Sequence, residues 1–417
     1  MRFPRIWCQL FLTCLSSFAS YSCIEPGGQL ALYEENDVLA LGNKRDQGYT
    51  NGLEFEYSVP LENAGAFAQS FGSLGLVKAL SVREGKSKKT EPIPDHPPEV
   101  MRDGNFATGY SDGITGRVKP SSAQGQSQSY EDGFVLGRAD RISIRSQGVI
   151  EGIDSATKGE INRRFLVALG QQIYTPGDLE QTALIPNDRP YAAWLYVQLG
   201  IDATRLDPEV ERRKDSRTRV QLALGVVGPA ALGDEVQSGY HELIHSDEPK
   251  GWDNQLDNEF GVVLTARRDE RILFERLGSE GRWQWDSVSH ASVSLGNVFT
   301  NASTGNVIRF GRDLPRDWPG RTVAPERVSE KNRSLWGWYL YGGVDGRLVI
   351  QDIFLDGNTS ESSHSVDKET VVADMTAGIA VRMDHLELIF SYVHRTEEFQ
   401  GQDGPQKFGS IALRYSR

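Results

Sequence analysis

The sequence predicts an all-β protein: an antiparallel transmembrane β-barrel of about twelve strands, with a short helix in an extracellular loop. Three observations support this fold class: an export signal at the N-terminus, a hydrophilic composition with a formal charge of -12, and a recurring period-two alternation of apolar and polar residues. Strands of outer-membrane barrels alternate lipid-facing apolar residues with polar residues that face the lumen. Because the strands of a soluble β-sandwich also alternate, that fold remains the competing interpretation.

The N-terminus has the layout of a secretory signal peptide. Two arginines precede the apolar stretch 6–15, and small residues follow it. This order predicts a cleaved signal over residues 1–22 and a mature barrel over residues 23–417. After the signal, no window has the roughly 18 uninterrupted apolar residues of a transmembrane helix, which excludes a helical membrane protein.

The alternation is clearest in residues 53–59, where the apolar odd positions enclose Glu54 and Glu56. Residues 220–226 and 411–415 repeat it, so one face of each segment is expected to meet lipid and the other the lumen. The further strand candidates lie near 29–37, 162–175, 192–206, 258–275, 283–300, 305–312, 335–356, 370–383 and 385–397. Segments of ten or more residues, and Trp and Tyr residues near segment ends, favour the barrel over the sandwich.

One long region interrupts this pattern. Residues 62–158 are rich in Gly, Ser, Gln, Pro and mixed charges, and they show no sustained periodicity. Such a composition predicts a low-complexity insert between the second and third strands. Because strand direction alternates, we expect this insert on the periplasmic side of the membrane.

The segment after the fifth strand candidate contains the motif His241-Glu242-Leu243-Ile244-His245. It matches H-E-x-x-H, which on a helix places two histidines on one face as zinc ligands, with the glutamate as general base. Glu259 is available as a third ligand. We expect Gly239 to interrupt the helix before the motif and the chain to break at 246–249. A zinc metalloprotease is therefore one alternative function, and a non-catalytic pore or adhesive barrel is another.

Several short blocks in sequence order carry a resemblance to a known family. The blocks are Glu35-Asn36-Asp37, Asp46-Gln47-Gly48-Tyr49-Thr50-Asn51-Gly52, Leu169-Gly170-Gln171-Gln172-Ile173-Tyr174-Thr175-Pro176, Asp188-Arg189-Pro190-Tyr191-Ala192-Ala193-Trp194, Gly228-Pro229, Glu235-Val236-Gln237, His241 and Gly251-Trp252-Asp253-Asn254-Gln255-Leu256. In this order they resemble the outer-membrane lipid A 3-O-deacylase family. The similarity covers nearly all of the mature chain outside the insert.

The resemblance implies a twelve-stranded outer-membrane barrel that removes the 3′-linked acyloxyacyl group of lipid A by ester hydrolysis. It also implies a divalent cation, usually calcium, and lipid A of the lipopolysaccharide leaflet as the partner. The family's catalytic positions correspond here to Asn36, Asp37, Thr50 and His241. A lysine of some members falls at or near Gln181. At that position this chain would lack the positive charge that binds a substrate phosphate.

The chemistry of these residues agrees with that implication. A neutral imidazole near pH 7 can take a proton from water, which makes His241 the natural general base. Asp37 is the best candidate for a cation ligand, or for orienting His241, while Asn36 and Thr50 supply an amide and a hydroxyl. We expect Arg189 to contact the substrate, or to be an interior salt-bridge partner.

Two other classes of function have little support. Nucleic acid is an unsuitable partner because the acidic chain would repel phosphates and no basic stripe with interleaved aromatic residues occurs. A serine hydrolase with a nucleophile elbow is disfavoured because no G-x-S-x-G motif is evident.

Overall fold

The computed structural model describes residues 27–40, 48–64, 160–207, 214–246, 248–279, 281–319 and 335–417. The predicted signal peptide, and the predicted insert beyond residue 64, lie outside these ranges. Within the described ranges, no helix is both long enough and apolar enough to cross a membrane.

Twelve antiparallel strands close into one barrel, in which consecutive strands pair and β1 also pairs with β12. The strands are β1 (Gln29–Asn36), β2 (Gly48–Pro60), β3 (Glu160–Thr175), β4 (Ala192–Leu206), β5 (Ser216–Val227), β6 (Glu259–Leu277), β7 (Trp283–Gly296), β8 (Phe299–Arg312), β9 (Trp336–Asp352), β10 (Val371–Met383), β11 (Leu386–Arg395) and β12 (Gln406–Ser416). The fold class predicted from alternation is confirmed.

Two strand boundaries differ from the sequence prediction. The predicted strands 283–300 and 305–312 are β7 and β8, which are separated only by the turn at 297–298. The side chain of Asn297 accepts a hydrogen bond from the backbone of Val262, which helps to fix that tight turn. The strand predicted at 335–356 ends at Asp352, because its carboxylate caps a short helix, α2 (Ile353–Asp356), by accepting from the Phe354 N–H.

The alternation separates a polar lumen from an apolar outer wall. Glu54 and Glu56 line a central cavity of about 540 Å³, together with side chains from all around the barrel. Leu169, Val197 and Leu224 lie on the opposite face of their strands and are 38–46% exposed. These exposed apolar side chains form the lipid-facing surface that a membrane barrel requires.

The two ends of the barrel differ. The first residue of β1, Gln29, and the last residue of β12, Ser416, pair at one end of the barrel, which we call the terminal end. The opposite end, called the loop end, carries the connections β1–β2, β3–β4, β5–β6, β7–β8, β9–β10 and β11–β12. The β5–β6 connection contains helix α1 (Gly233–Ile244), which confirms the predicted short helix.

The segment 313–319 after β8 closes the lumen at the terminal end. Trp318 is 1% exposed and lies between the guanidinium groups of Arg217 and Arg271, whose central carbons are 5.4 and 5.5 Å from its ring centre. Asp317 accepts a hydrogen bond from Arg309. Leu314 packs with Tyr33, Tyr339 and other buried side chains inside the barrel.

An aromatic cluster closes the lumen at the loop end. Tyr174 stacks on Phe354 with ring centres 4.0 Å apart, and Tyr49 packs against Tyr174 and Phe408. Trp194 and Phe299 extend this cluster across the barrel. The central cavity therefore lies between two packed layers.

Candidate functional site

A group of polar residues lies on the outer wall of β1–β3 near the loop end. Tyr33 and Glu35 line the central cavity, so the alternate residues Glu34 and Asn36 point outward. By the same argument Gln171 points outward, because Gln172 lines the cavity. Lipid-facing positions of barrel strands are usually apolar. A local polar patch on this wall therefore indicates a site.

The strand register arranges these residues in two adjacent rows. Glu34 pairs with Leu53, and Leu53 pairs with Gln171 on β3. One step closer to the loop end, Asn36 pairs with Asn51, which pairs with Ile173. Neighbouring strands lie about 4.8 Å apart, so each row spans roughly 10 Å of the wall.

Helix α1 packs on the outside of the wall, over β3 and β4. Ile173 and Ala193 point outward, yet both are 0% exposed, because they pack with Ala231 and Trp252 from the β5–β6 connection. The Gln171 side chain donates a hydrogen bond of 2.6 Å to the carbonyl oxygen of Ala231, just before the helix. The helix is thereby held against the outer surface rather than over the lumen.

One stripe of α1 faces the barrel. Gly233, Gln237 and His241 are buried and spaced four residues apart, which places them on one helix face. A Cβ atom on Gly233 would lie 2.5 Å from the Cβ of Ala193 and 2.5 Å from the Trp252 ring. This close approach requires glycine, and it brings His241, which is 3% exposed, toward the wall.

Gln237 is a site residue that the sequence did not single out for a role. The side-chain amide oxygen of Gln237 accepts a 3.0 Å hydrogen bond from the Trp252 indole N–H. This bond orients the amide group, and the amide nitrogen of Gln237 then has no hydrogen-bond partner in the described part of the chain. A buried amide donor therefore lies one helical turn before His241.

Asn36 and Asp37 lie where β1 ends and a 3-10 turn (Asp37–Leu39) begins. That turn passes over β12, because a Cβ on Gly409 would lie 2.6 Å from the Cβ and carbonyl oxygen of Leu39. Asn36 is 2% and Asp37 is 1% exposed. Both predicted site residues are therefore buried at the loop end. Asn36 belongs to the outward-facing row with Asn51, and Asp37 follows it.

Thr50 lies at a β-bulge near the start of β2. The β2–β3 register shifts between Tyr49 and Asn51, so Thr50 is the extra residue. Its hydroxyl contacts the Thr175 hydroxyl at 2.6 Å. Bulges redirect side chains at functional sites. Here the bulge places Thr50 beside Asn51 and the last residue of β3.

The structure therefore places Asn36, Asp37, Thr50 and His241 at one end of the barrel. Asn36 and Thr50 belong to the adjacent strands β1 and β2, Asp37 follows β1 directly, and the helix that carries His241 packs over β3 and β4. All four are buried. Their chemical roles stay predictions.

Arg189 forms a buried ion pair. Its guanidinium donates to the Glu398 carboxylate at 2.7 Å, and both side chains are nearly inaccessible. Burial raises the pKa of the Glu398 carboxyl, but the charges of Arg189 and Arg395 outweigh that effect and hold the pKa below its usual range. Arg189 also lies over the rings of Tyr174 and Phe399. The structure thus places Arg189 as an interior salt-bridge partner, one of the two expectations.

Gln181 is exposed in the β3–β4 connection. Its carbonyl oxygen would lie 3.0 Å from a Cβ on Gly251, so this connection packs against the segment that follows α1. The Lys250 N–H donates to the Leu179 carbonyl at 2.8 Å, and the Asn254 side chain donates to the Thr182 carbonyl at 2.8 Å.

The H-E-x-x-H motif has a different structure from the one its pattern suggests. Helix α1 continues through Gly239, so the expected interruption there is wrong; packing of the buried stripe outweighs the low helix propensity of glycine. The helix ends at Ile244, and His245 is an exposed residue in the left-handed conformation. Of the two histidines, only His241 faces the barrel. The Glu259 carboxylate accepts hydrogen bonds from Thr359 and Asn297.

The donor set suits a hard cation. Among the described residues, no group of three or more His, Cys, Asp or Glu side chains is arranged to hold a metal. A cation here would take one carboxylate, Asp37, with amide, hydroxyl and backbone oxygens. Calcium accepts such all-oxygen ligands, whereas zinc sites in proteins are built mainly from histidine and cysteine.

Glu34, Gln171 and Gln237 were missed as site residues because the placement of α1 against the outer wall depends on tertiary contacts. Alternation alone does not show which face of a strand a loop helix covers. The available signal was a polar residue at an outward position, as at Glu34 and Gln171, where the lipid-facing pattern requires an apolar one.

Comparisons with known proteins found a family model and solved structures that are similar to this chain. A family model described as outer membrane protein LpxR matches residues 122–417. LpxR from Salmonella typhimurium aligns over 93% of this chain and 99% of its own, with 16% sequence identity and a TM-score of 0.56, which supports the fold. The β-domain of the Bordetella autotransporter BrkA covers 94% of this chain and 100% of its own, at 10% identity and a TM-score of 0.39. No curated protein sequence matches the chain.

Proposed function

The chain belongs to the LpxR family of outer-membrane lipid A 3′-O-deacylases, and from this membership we propose that it hydrolyses the 3′-linked acyloxyacyl ester of lipid A with His241 as general base. The location of the candidate site carries the proposal. The site lies between α1 and the outer wall, not in the lumen. Lipid A is a membrane lipid, so it can reach such a site laterally without leaving the leaflet.

His241 starts the reaction in this proposal. Its imidazole takes a proton from a water molecule, whose oxygen then forms a bond to the ester carbonyl carbon. The carbonyl electrons move to oxygen, and a tetrahedral intermediate forms. When the intermediate collapses, the bond to the sugar 3′-oxygen breaks, and that oxygen receives the proton from the His241 imidazolium. The products are the acyloxyacyl acid and a lipid A with a free 3′-hydroxyl group.

Gln237 and the β1–β2 residues position the reactants. The Gln237 amide, oriented by Trp252, has a buried N–H group suited to donate to the carbonyl oxygen as negative charge develops. Asn36 and Thr50 supply an amide and a hydroxyl for the water or the ester. Fixed donors of this kind typically contribute about 10²–10³-fold to rate.

Asp37 is the proposed ligand for a divalent cation. Its buried carboxylate, with oxygen atoms from Asn36 and the local backbone, fits calcium better than zinc. When bound there, calcium would supply positive charge that favours the negatively charged carbonyl oxygen of the intermediate.

The alternative functions fit the geometry less well. A zinc protease needs both histidines of H-E-x-x-H on one helix face, but α1 ends before His245. A pore needs a wide, continuous lumen, whereas packed side chains lie across this barrel on both sides of the central cavity.

Purified protein in mixed micelles with lipid A tests the proposal. We expect calcium-dependent release of the acyloxyacyl acid, lost in His241→Ala and strongly reduced in Gln237→Leu. Asp37→Asn is expected to need a higher calcium concentration for half-maximal rate. Folded protein that leaves lipid A intact at every calcium concentration would reject the proposed reaction.

A further inference from the structure

Most basic side chains at the loop end have acidic partners, but Lys250 does not. Arg189 pairs with Glu398, Arg395 with Asp374, and Lys368 with Asp356. Lys250 forms no salt bridge with any residue in the described part of the chain, and its side chain is exposed. An exposed ammonium group without a salt bridge, on a well-packed segment, is available to bind an anionic ligand.

The backbone around Lys250 is firmly held. Its N–H donates to the Leu179 carbonyl at 2.8 Å, and the neighbouring Pro249 is buried. A Cβ on Gly251 would lie 2.4 Å from the Tyr191 ring, so the chain there passes close to that ring. The backbone of Lys250 is therefore held in place, and only the lysine side chain has to be ordered when a ligand binds.

Lys250 also lies beside the candidate site. Two residues later, Trp252 packs on Gly233 and donates to Gln237, both on the face of α1 that carries His241. The exposed Leu243 on α1, outside the barrel wall, is compatible with contact to lipid. A charge on this segment is thus close to the headgroup of a lipid held between α1 and the wall.

The surroundings of Lys250 are acidic. Asp178, Glu180, Glu248 and Asp253 are exposed on the same two connections. Carboxylates repel phosphates, so without Lys250 this surface would disfavour an anionic headgroup. Phosphate recognition at this position would therefore depend on one positive charge.

We propose that Lys250 recognises a phosphate group of the glycolipid substrate and so sets the preference for phosphorylated lipid A. This proposal rests on the proposed function and adds a specificity residue to it. Lysine binds phosphate as a point charge. The packing of Gly251 near the Gln181 carbonyl brings Lys250 next to the β3–β4 connection.

Binding is measured first, in the His241→Ala background, so that turnover does not interfere. The probes are bisphosphorylated lipid A and the same lipid A after removal of its phosphates, each in mixed micelles. We expect Lys250→Gln to weaken binding of the phosphorylated form about ten-fold, which corresponds to roughly 1.4 kcal/mol. Binding of the dephosphorylated form should not change, and Lys250→Arg should retain most of the affinity.

Lys214→Gln is the matched control, because Lys214 is an exposed lysine at the terminal end. It should bind both lipids as the parent does. Equal loss for both lipids in Lys250→Gln, or no loss for either, would overturn the inference. So would a parent protein that binds neither lipid.

Hydrolysis by the otherwise wild-type chain separates the two proposals. If phosphorylated lipid A is cleaved and Lys250→Gln leaves KM and kcat unchanged, only the role of Lys250 fails. A raised KM for the phosphorylated form alone, with kcat retained, supports it. If no lipid A is cleaved by the wild type, the proposed function itself fails, and the binding data still decide whether Lys250 recognises phosphate.

Discussion

At the residue scale, the Arg189–Glu398 pair shows how a motif residue can have a structural role. Arg189 lies in one of the blocks that carry the family resemblance, and its type suggested a contact with an anionic substrate. The sequence could not show that Glu398, 209 positions later, lies 2.7 Å away. Ion pairs between distant residues depend on barrel closure, which no local pattern encodes.

Replacing Arg189 distinguishes a structural role from substrate binding. Arg189→Ala removes one of the positive charges that stabilise the buried Glu398 carboxylate. We therefore expect a loss of about 3–5 kcal/mol in unfolding free energy. The double variant Arg189→Met/Glu398→Met should recover most of this stability, because apolar side chains of similar size can replace a buried pair. Thermal unfolding and lipid A hydrolysis are measured together. Restored stability without restored hydrolysis would instead assign Arg189 to substrate binding.

The depressed pKa of Glu398 gives a pH dependence with a definite sign. A carboxyl whose folded pKa lies below its unfolded value of about 4.3 stabilises the fold above that value. The contribution is lost as pH falls through the folded pKa. We expect the difference in melting temperature between wild type and Glu398→Gln to be constant above about pH 5 and to shrink below about pH 4. A difference that is unchanged down to pH 3 would contradict the assignment.

At the element scale, α1 is the structure that makes the site. The sequence predicted a short helix between β5 and β6, and acidic residues in its first turn fit a helix start. The sequence did not predict that this helix lies against the outer wall. That placement depends on tertiary contacts, chiefly Gly233 against Ala193 and Gln171 against Ala231.

A single methyl group at Gly233 tests the placement of α1. Gly233→Ala puts a Cβ 2.5 Å from Ala193 and from Trp252, so the helix has to move. Displacement of a catalytic group by about 1 Å can lower the rate roughly 10²-fold. We therefore expect a large loss of hydrolysis in a barrel that still folds. Gly342→Ala is the control, since its nearest neighbour would be 3.8 Å away, and it should keep full activity.

Retained activity in Gly233→Ala would show that the exact position of α1 does not matter. Loss of activity in both variants would point to a general sensitivity of the barrel. Heat-modifiable migration of the folded barrel on gels separates folding from catalysis in either case.

At the scale of the whole molecule, the barrel was the most predictable feature. Segments such as 53–59 and 220–226 have the period of two that barrel strands require, and their apolar side chains do point outward. The closures of the lumen were not predictable. Trp318 between two arginines, and the aromatic cluster around Tyr174, form from residues far apart in the chain.

Packed side chains on both sides of the central cavity predict a barrel that does not conduct ions. In planar bilayers the wild-type protein should show no stepwise conductance, since packed layers cover both ends of the cavity. A general porin serves as the positive control in the same bilayers. Stepwise, voltage-stable currents from the wild type would favour the pore alternative over the enzyme.

Mass spectrometry of lipid A tests the central claim most directly. Lipid A is taken from cells that express the wild type, His241→Ala or His245→Ala, with and without added calcium. We expect loss of one acyloxyacyl mass in wild type and in His245→Ala when calcium is present, and intact lipid A in His241→Ala. Lipid A that stays intact in all samples, although the barrel is folded in the outer membrane, would contradict it.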